Sequence, residues 1–383
     1  MNLETEVSES LNAVRVQISQ VMDCMQEPLE YTFTTTANKS TPYTVASQPV
    51  TIPNILKNTD SLEVVYPWAD DFTKMQLSVF WLPHEIKVEK DIQDIKVNMT
   101  EAEKHGVITV LKLFTLYELK AGAEYWTGRF KRRFKRPEFQ EMGTVFGAFE
   151  LAVHKKFYQE INKQLHLHTD EFYGSYVNDP VLKSRMDFID RAISSPDDLV
   201  SLAVFSMIEG AILYSSFAFL KHFQSQGKNK MLNVVRGINF SVRDENIHAL
   251  AGARCFKELK KEMAELMTED RSAELEETII AAARELLEHE FRIVDMIFEK
   301  GTIDGITSKQ LKNFVESRIN ECLVSLGYKK IFDVTYNPIA GWFYKAISDF
   351  VFNDTFSGVG SSYHRNWDET SFIWEDYRTM ELQ

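Results

Sequence analysis

Glu118, Glu209 and Glu245 lie inside segments too apolar to hold a lone charge, and that constrains this chain more than any other feature. Glu118 ends Leu111-Lys-Leu-Phe-Thr-Leu-Tyr-Glu118, Glu209 ends Phe205-Ser-Met-Ile-Glu209, and Glu245 opens Glu245-Asn-Ile-His248. An ionised carboxylate in such surroundings costs several kcal/mol unless a counter-charge meets it. No lysine or arginine is near enough in sequence to serve each one. A carboxylate three residues before an imidazole shares its helical face, so Glu245 and His248 can reach one cation. Upstream, Glu150-Leu-Ala-Val-His154 is an imperfect second copy. Any one of these glutamates alone reads as a solvated or ion-paired side chain. Six residues in the order Glu, Glu/His, Glu, Glu/His instead require helices that converge on shared metal ions.

The rest of the chain supplies such helices. Only ten prolines and sixteen glycines interrupt 383 residues, and the stretches between them alternate charged and apolar positions at helical spacing. Helices are expected over 70–81, from Thr100 with a Thr100-Glu-Ala-Glu103 capping box to about 134, and over 137–164, 180–193, 196–225, 228–259, 274–300, 308–326 and 338–352. Helices this long are typical of a bundle whose core hosts a cofactor. The fold class is therefore all-α. Residues 1–58 read as an extension, helical to about residue 30 and then Thr, Ser and Pro-rich. Residues 59–352 form the helical domain, and 353–383 a flexible tail.

Hard carboxylates with a little imidazole suit iron or manganese, and four carboxylates with two histidines form the ligand set of di-iron and di-manganese bundles, a class defined on this very set. Glu285-Leu-Leu-Glu-His289 has similar residues but belongs to a helix with a charged face and reads as surface; His166 and His168 fall in a polar loop. A net charge of −13 argues against a nucleic-acid partner. The basic run Arg129-Phe-Lys-Arg-Arg-Phe-Lys-Arg136 reads as the solvated end of a helix, where cations are favoured. Cys24, Cys255 and Cys322 are odd in number, widely spaced and without a CxxC pair, as expected of reduced intracellular thiols. With no leader-like N-terminus and no run of about 18 apolar residues, no membrane partner and a cytoplasmic location are expected.

The motifs then resemble a known family, the small, radical-generating β subunit of class I ribonucleotide reductase. Leu77-Ser-Val-Phe-Trp81-Leu-Pro-His-Glu-Ile is similar to its Phe-Trp-x-Pro-x-Glu signature, and Arg243-Asp244-Glu245-Asn-Ile-His248 to its Arg-Asp-Glu-x-x-His motif. Phe205-Ser-Met-Ile-Glu209-Gly matches its third ligand helix, and His154-Lys-Lys-Phe-Tyr158 its His-x-x-x-Tyr. The resemblance implies a ferritin-like bundle with additional helices and a homodimer. It implies two metal ions per chain, iron first and manganese as the alternative, held by Glu118, Glu150, His154, Glu209, Glu245 and His248, with dioxygen as activator. Tyr158 would carry the radical. Trp81 and Asp244 would pass it, with Tyr363 or Tyr377 in the tail, to a separate large catalytic subunit that binds the C-terminal tail and reduces ribonucleotides.

One departure stands out. The family has Glu-x-x-His on both paired helices, whereas here Glu150 and His154 are one residue further apart, and strict counting puts Leu151 at the ligand position. A π-bulge would return Glu150 to the metal; a regular helix would leave Leu151 there and one position short of a carboxylate. Two rival readings share the ligands: a self-contained di-metal oxidase or monooxygenase, and a metal-storage or structural helical protein. Neither needs Trp81, Asp244 and Tyr158 together.

Overall fold

Prolines and capping side chains set where the helices begin. The computed structural model describes residues 52–59, 61–334 and 338–344, apart from the Thr115 side chain. Helix α1 (Pro67–Ser78) starts on a proline, whose missing N–H costs nothing in a first turn, and stops three residues before Trp81. Helix α2 (Glu101–Leu119) carries the expected capping box, in which the Thr100 hydroxyl accepts from the Glu103 N–H and the Glu103 carboxylate accepts from the Thr100 N–H. It runs on through a π-helical segment, Lys120–Phe130. Helix α3 (Pro137–Ala148) passes through a second π segment, Phe149–His154, into α4 (Lys155–Gln164). Next come α5 (Asp170–Asn178), α6 (Pro180–Ser194), α7 (Asp198–Ala211), α8 (Tyr214–Lys221), α9 (Leu232–Glu262), α10 (Glu269–Ile297) and α11 (Ser308–Ser325). The described residues contain no named strand, only an isolated bridge between Ile303 and Ile306.

Several boundaries differ from the expectation for local physical reasons. Helix α5 lies in what reads as polar chain, because Thr169 accepts from the Phe172 N–H and caps a short helix that buries only Tyr176. The single helix expected over 196–225 is broken at Ile212 and Leu213. The break frees backbone carbonyls in the core, and two buried guanidinium groups satisfy them. Arg318 donates to the Gly210 carbonyl at 3.1 and 2.7 Å, and Arg185 to the Ile212 carbonyl at 2.8 Å. Packing begins ahead of residue 59, since Ile55 is fully buried and its N–H donates to Glu262.

The basic run is only in part a solvated helix end: Arg132, Arg133 and Lys135 are exposed, whereas its other arginines are drawn into the body. Arg129 and Arg133 both engage Asp198 in the first turn of α7, and Arg136 donates to the carbonyl and side chain of Asn54. Asp198–Gln224 is apolar enough for a membrane span, which the count of apolar runs does not reveal. Every residue of its apolar window is nevertheless buried in the body, the position of a core helix. Cys255 and Cys322 are buried free thiols. Residues 1–51 with Cys24, the part of the helix expected over 338–352 beyond residue 344, and the tail with Tyr363 and Tyr377 lie outside the described residues.

Candidate metal centre

Helices α2, α7 and α9 and the π segment after α3 each point a carboxylate to one place in the core. Glu118, Glu150, Glu209, Glu245, His154 and His248 are all essentially inaccessible to solvent. Their ligand atoms fall into two quartets, Glu118/Glu150/His154/Glu245 and Glu150/Glu209/Glu245/His248, each with its atoms within 4.8 Å of one another. Glu150 and Glu245 belong to both. Each gives one oxygen to each imidazole: Glu150 Oε2 lies 3.1 Å from His154 Nδ1 and Oε1 lies 2.7 Å from His248 Nδ1. For Glu245 the corresponding distances are 3.4 and 3.6 Å. Glu118 stands 3.7 Å from His154 Nδ1, and Glu209 stands 3.8 Å from His248 Nδ1.

The spacing between Glu150 and His154 is absorbed by backbone. Phe149–His154 is π-helical, so Glu150 faces the cluster while Leu151 is only half-buried beside it. A glycine makes the close crossing workable. A Cβ on Gly122, in the π segment after α2, would stand 2.8 Å from Glu150 Cβ and 2.7 Å from Leu151 Cγ.

The protein alone leaves this cluster unsatisfied. Both oxygens of Glu118 and of Glu245, Oε1 of Glu150 and both ring nitrogens of His248 are buried without hydrogen-bond geometry to any partner. Native interiors rarely tolerate so many orphaned polar atoms together. Four carboxylates balance the charge of two divalent cations, and oxygen donors with one imidazole per quartet suit iron or manganese. The residues therefore fit a pair of such ions. Their titration agrees: burial, with Glu150 beside it, holds Glu118 well above the carboxylate range, and burial with Glu245 does the same to Glu209. Glu150 goes the other way despite its burial, held well below that range by His154 and His248. Against their own burial, both imidazoles are raised, Glu150 being the main cause.

On the His154 side, Asp244 Oδ2 lies 3.1 Å from His154 Nε2 and accepts from the Trp81 indole N–H at 2.8 Å. Arg243 keeps the Asp244 carboxyl low despite complete burial. Tyr158 is fully buried on α4, stacked on Phe114 with ring centroids 4.3 Å apart, and its hydroxyl stands beside the Ser241 hydroxyl. Burial and Glu118 hold that phenol well above its usual range, hence protonated at neutral pH.

Two side chains next to the cluster go unnoticed in the sequence. The Tyr117 hydroxyl donates to Glu209 Oε2 at 3.1 Å, and the Trp126 indole N–H donates to Glu209 Oε1 at 2.9 Å. Both read simply as core aromatics, and no spacing rule distinguishes them. Among the decoys, His166 and His168 are exposed. His289 and Glu290 are not on the surface: both are buried, because Glu290 meets Arg185 at 3.5 Å and accepts from Ser215. Glu285 and Glu288 are the residues of that segment that face out.

A helical bundle that brings four glutamates and two histidines into one buried double site is a di-metal carboxylate protein. More narrowly, the sequence model of the family described as ribonucleotide reductase, small chain, matches residues 60–338, and the chain belongs to that family. Its relatives include a ribonucleoside-diphosphate reductase subunit beta from Halalkalibacterium halodurans, 28% identical over 295 residues that span 72% of this chain and 80% of that one. The Chlamydia pneumoniae subunit beta is 25% identical, covering 70% and 80% of the two chains. Among solved structures, the dimanganese(II)-NrdF of Streptococcus sanguinis superposes with a TM-score of 0.64 over 74% of this chain and 98% of its own, at 21% identity. The R2 subunit from Clostridium botulinum gives 0.62 over 74% and 88%, at 22% identity. These two likenesses bear on the fold. The chain is thus a small chain of ribonucleotide reductase, a family that works with a large subunit.

Proposed function

We propose that the two quartets would hold two metal ions, Glu150 and Glu245 serving both positions, Glu118 and His154 completing one and Glu209 and His248 the other. Iron is the first choice and manganese the alternative, since both accept this donor set. The observation that carries the reading is the sharing of Glu150 and Glu245, one oxygen to each side. Bound there and exposed to dioxygen, such a pair would supply the oxidising power for one-electron oxidation of a nearby phenol.

The chain's own residues decide which phenol is oxidised and where the radical goes. Tyr158 lies one helical turn beyond His154, so its ring is beside the cluster, and the rings of Phe114 and Phe157 cover it. Oxidation requires its Oη proton to leave. Burial then excludes solvent from that oxygen, which lengthens the life of a radical, and the Ser241 hydroxyl is the protein group within reach of it. Asp244 accepts from His154 Nε2–H, which fixes the tautomer and aims Nδ1 at the metal position. Its second contact, to the Trp81 N–H, links that imidazole to an indole on the far side. Through Trp81 and Asp244 the radical would travel toward Tyr363 or Tyr377 in the C-terminal tail, and from there to the large subunit, which binds the tail. A homodimer in the cytoplasm is the setting we infer.

Reconstitution of the metal-free protein with Fe(II) and oxygen tests the reading. Two metal ions per chain and a tyrosyl EPR signal absent from Tyr158→Phe are expected. A signal that survives in Tyr158→Phe would refute the assignment of the radical.

A further inference from the structure

The two proposed metal positions are held in opposite ways. In the quartet with His154 the imidazole is fixed, its Nε2 lying 3.1 Å from Asp244, while the terminal carboxylate Glu118 has neither oxygen hydrogen-bonded. In the quartet with His248 the pattern is reversed. The outer nitrogen of the imidazole, Nε2, has no hydrogen-bond partner among the described residues and the ring packs against Trp126 and Phe146, while the terminal carboxylate Glu209 has a donor on each oxygen. Those donors, Tyr117 and Trp126, are fully buried on α2 and the π segment after it.

We infer that Tyr117 and Trp126 are the positioning residues of the His248 metal position, doing through its carboxylate what Asp244 does for the His154 position through its imidazole. An ionised carboxylate has about four acceptor sites, so two hydrogen bonds leave Glu209 lone pairs for a metal ion. With a donor on each oxygen, the carboxylate plane cannot rotate without breaking a buried hydrogen bond and orphaning its donor. Glu209 is therefore the fixed terminal carboxylate and Glu118 the one free to reorient. Each position then depends on its own supporting contacts: removing a donor from Glu209 loosens one ion and spares the other. Two aromatic donors on one ligand also explain why Tyr117 and Trp126 lie among apolar residues with their polar ends turned inward, since each buried N–H or O–H needs an acceptor.

The inference rests on the di-metal reading, and one experiment separates their failures. Metal-free protein is titrated anaerobically with Mn(II), and free ion is followed by its EPR signal in the parent, Trp126→Phe, Tyr117→Phe, Asp244→Asn and the Trp126→Phe/Asp244→Asn double variant. Loss of a group that hydrogen-bonds a metal ligand typically weakens metal binding about 10–100-fold. The expected result is that Trp126→Phe and, to a smaller degree, Tyr117→Phe weaken one of two dissociation constants by such a factor. Asp244→Asn should weaken the other, and the double variant both. Tyr117→Phe removes a single hydroxyl and keeps the ring, so the test stands even if the Trp126 variant does not fold. A parent that takes up two ions while both aromatic variants retain both constants, or lose the same one as Asp244→Asn, overturns the inference. A parent that binds fewer than two ions overturns the di-metal reading and the inference together.

Discussion

Gly122→Ala is the smallest change that should disturb both metal positions. A Cβ there would stand 2.8 Å from Glu150 Cβ, 2.7 Å from Leu151 Cγ and 3.1 Å from the Gly147 carbonyl. The Leu151 side chain is half-buried and can turn away. Glu150 Cβ cannot, because it is attached to the π-helical backbone that brings the carboxylate into the cluster. Overpacking of this kind costs about 1–3 kcal/mol. Replacing glycine by alanine in a helix returns about 1 kcal/mol. The net loss in stability is therefore only about 0–2 kcal/mol, a shift of a few degrees in melting temperature. The effect on metal is larger in proportion. Since Glu150 belongs to both quartets, its displacement weakens both ions, by about 10–100-fold if it behaves like other perturbations of a ligand's support. Mn(II) titration of the metal-free variant, alongside a thermal melt, measures both. A variant that binds two ions with the parent's affinity would refute the claim that the crossing at Gly122 places Glu150.

Trp81→Phe should keep metal content and the Tyr158 EPR signal but lose turnover when mixed with the large subunit; retained turnover would exclude the Trp81–Asp244 route. Metal binding should release protons. Glu118 and Glu209 keep theirs above the carboxylate range and His154 and His248 are also raised, so affinity for Mn(II) should increase as pH rises through neutrality, with calorimetric heats that depend on the buffer's ionisation enthalpy. Heats identical in all buffers would contradict that. Away from the centre, Arg185→Gln should cost about 3–5 kcal/mol in urea unfolding, because it strands the buried Glu290 and the Ile212 carbonyl. A loss below about 1 kcal/mol would mean that water, not Arg185, satisfies them.

Glu118, Glu209, Glu245 and His248 were legible because burial of a carboxylate is an energetic anomaly that a local window can detect. Their apolar neighbours predict inward faces, and the inward faces meet. The Thr100 capping box was equally local. Legibility ended where a residue's partner comes from a distant element. His289 reads as surface until α10 is seen to turn it and its neighbour Glu290 inward, where Glu290 meets Arg185 on α6. The basic run reads as solvated until Asp198 arrives at the start of α7.

The sequence by itself determined most of the helices, the donor set and hence the chemistry the core must serve, since periodicity and the cost of buried charge act within a few turns of chain. Tertiary structure decided which side chains complete the site. The choice of Glu150 over Leu151 depends on a π segment fitted against Gly122, 28 residues earlier in the chain. The assignment of Tyr117 and Trp126 to Glu209 depends on how α2 packs against α7. Hydrogen bonds are sensitive to a few tenths of an ångström and to direction, and those quantities are set only when the helices have packed.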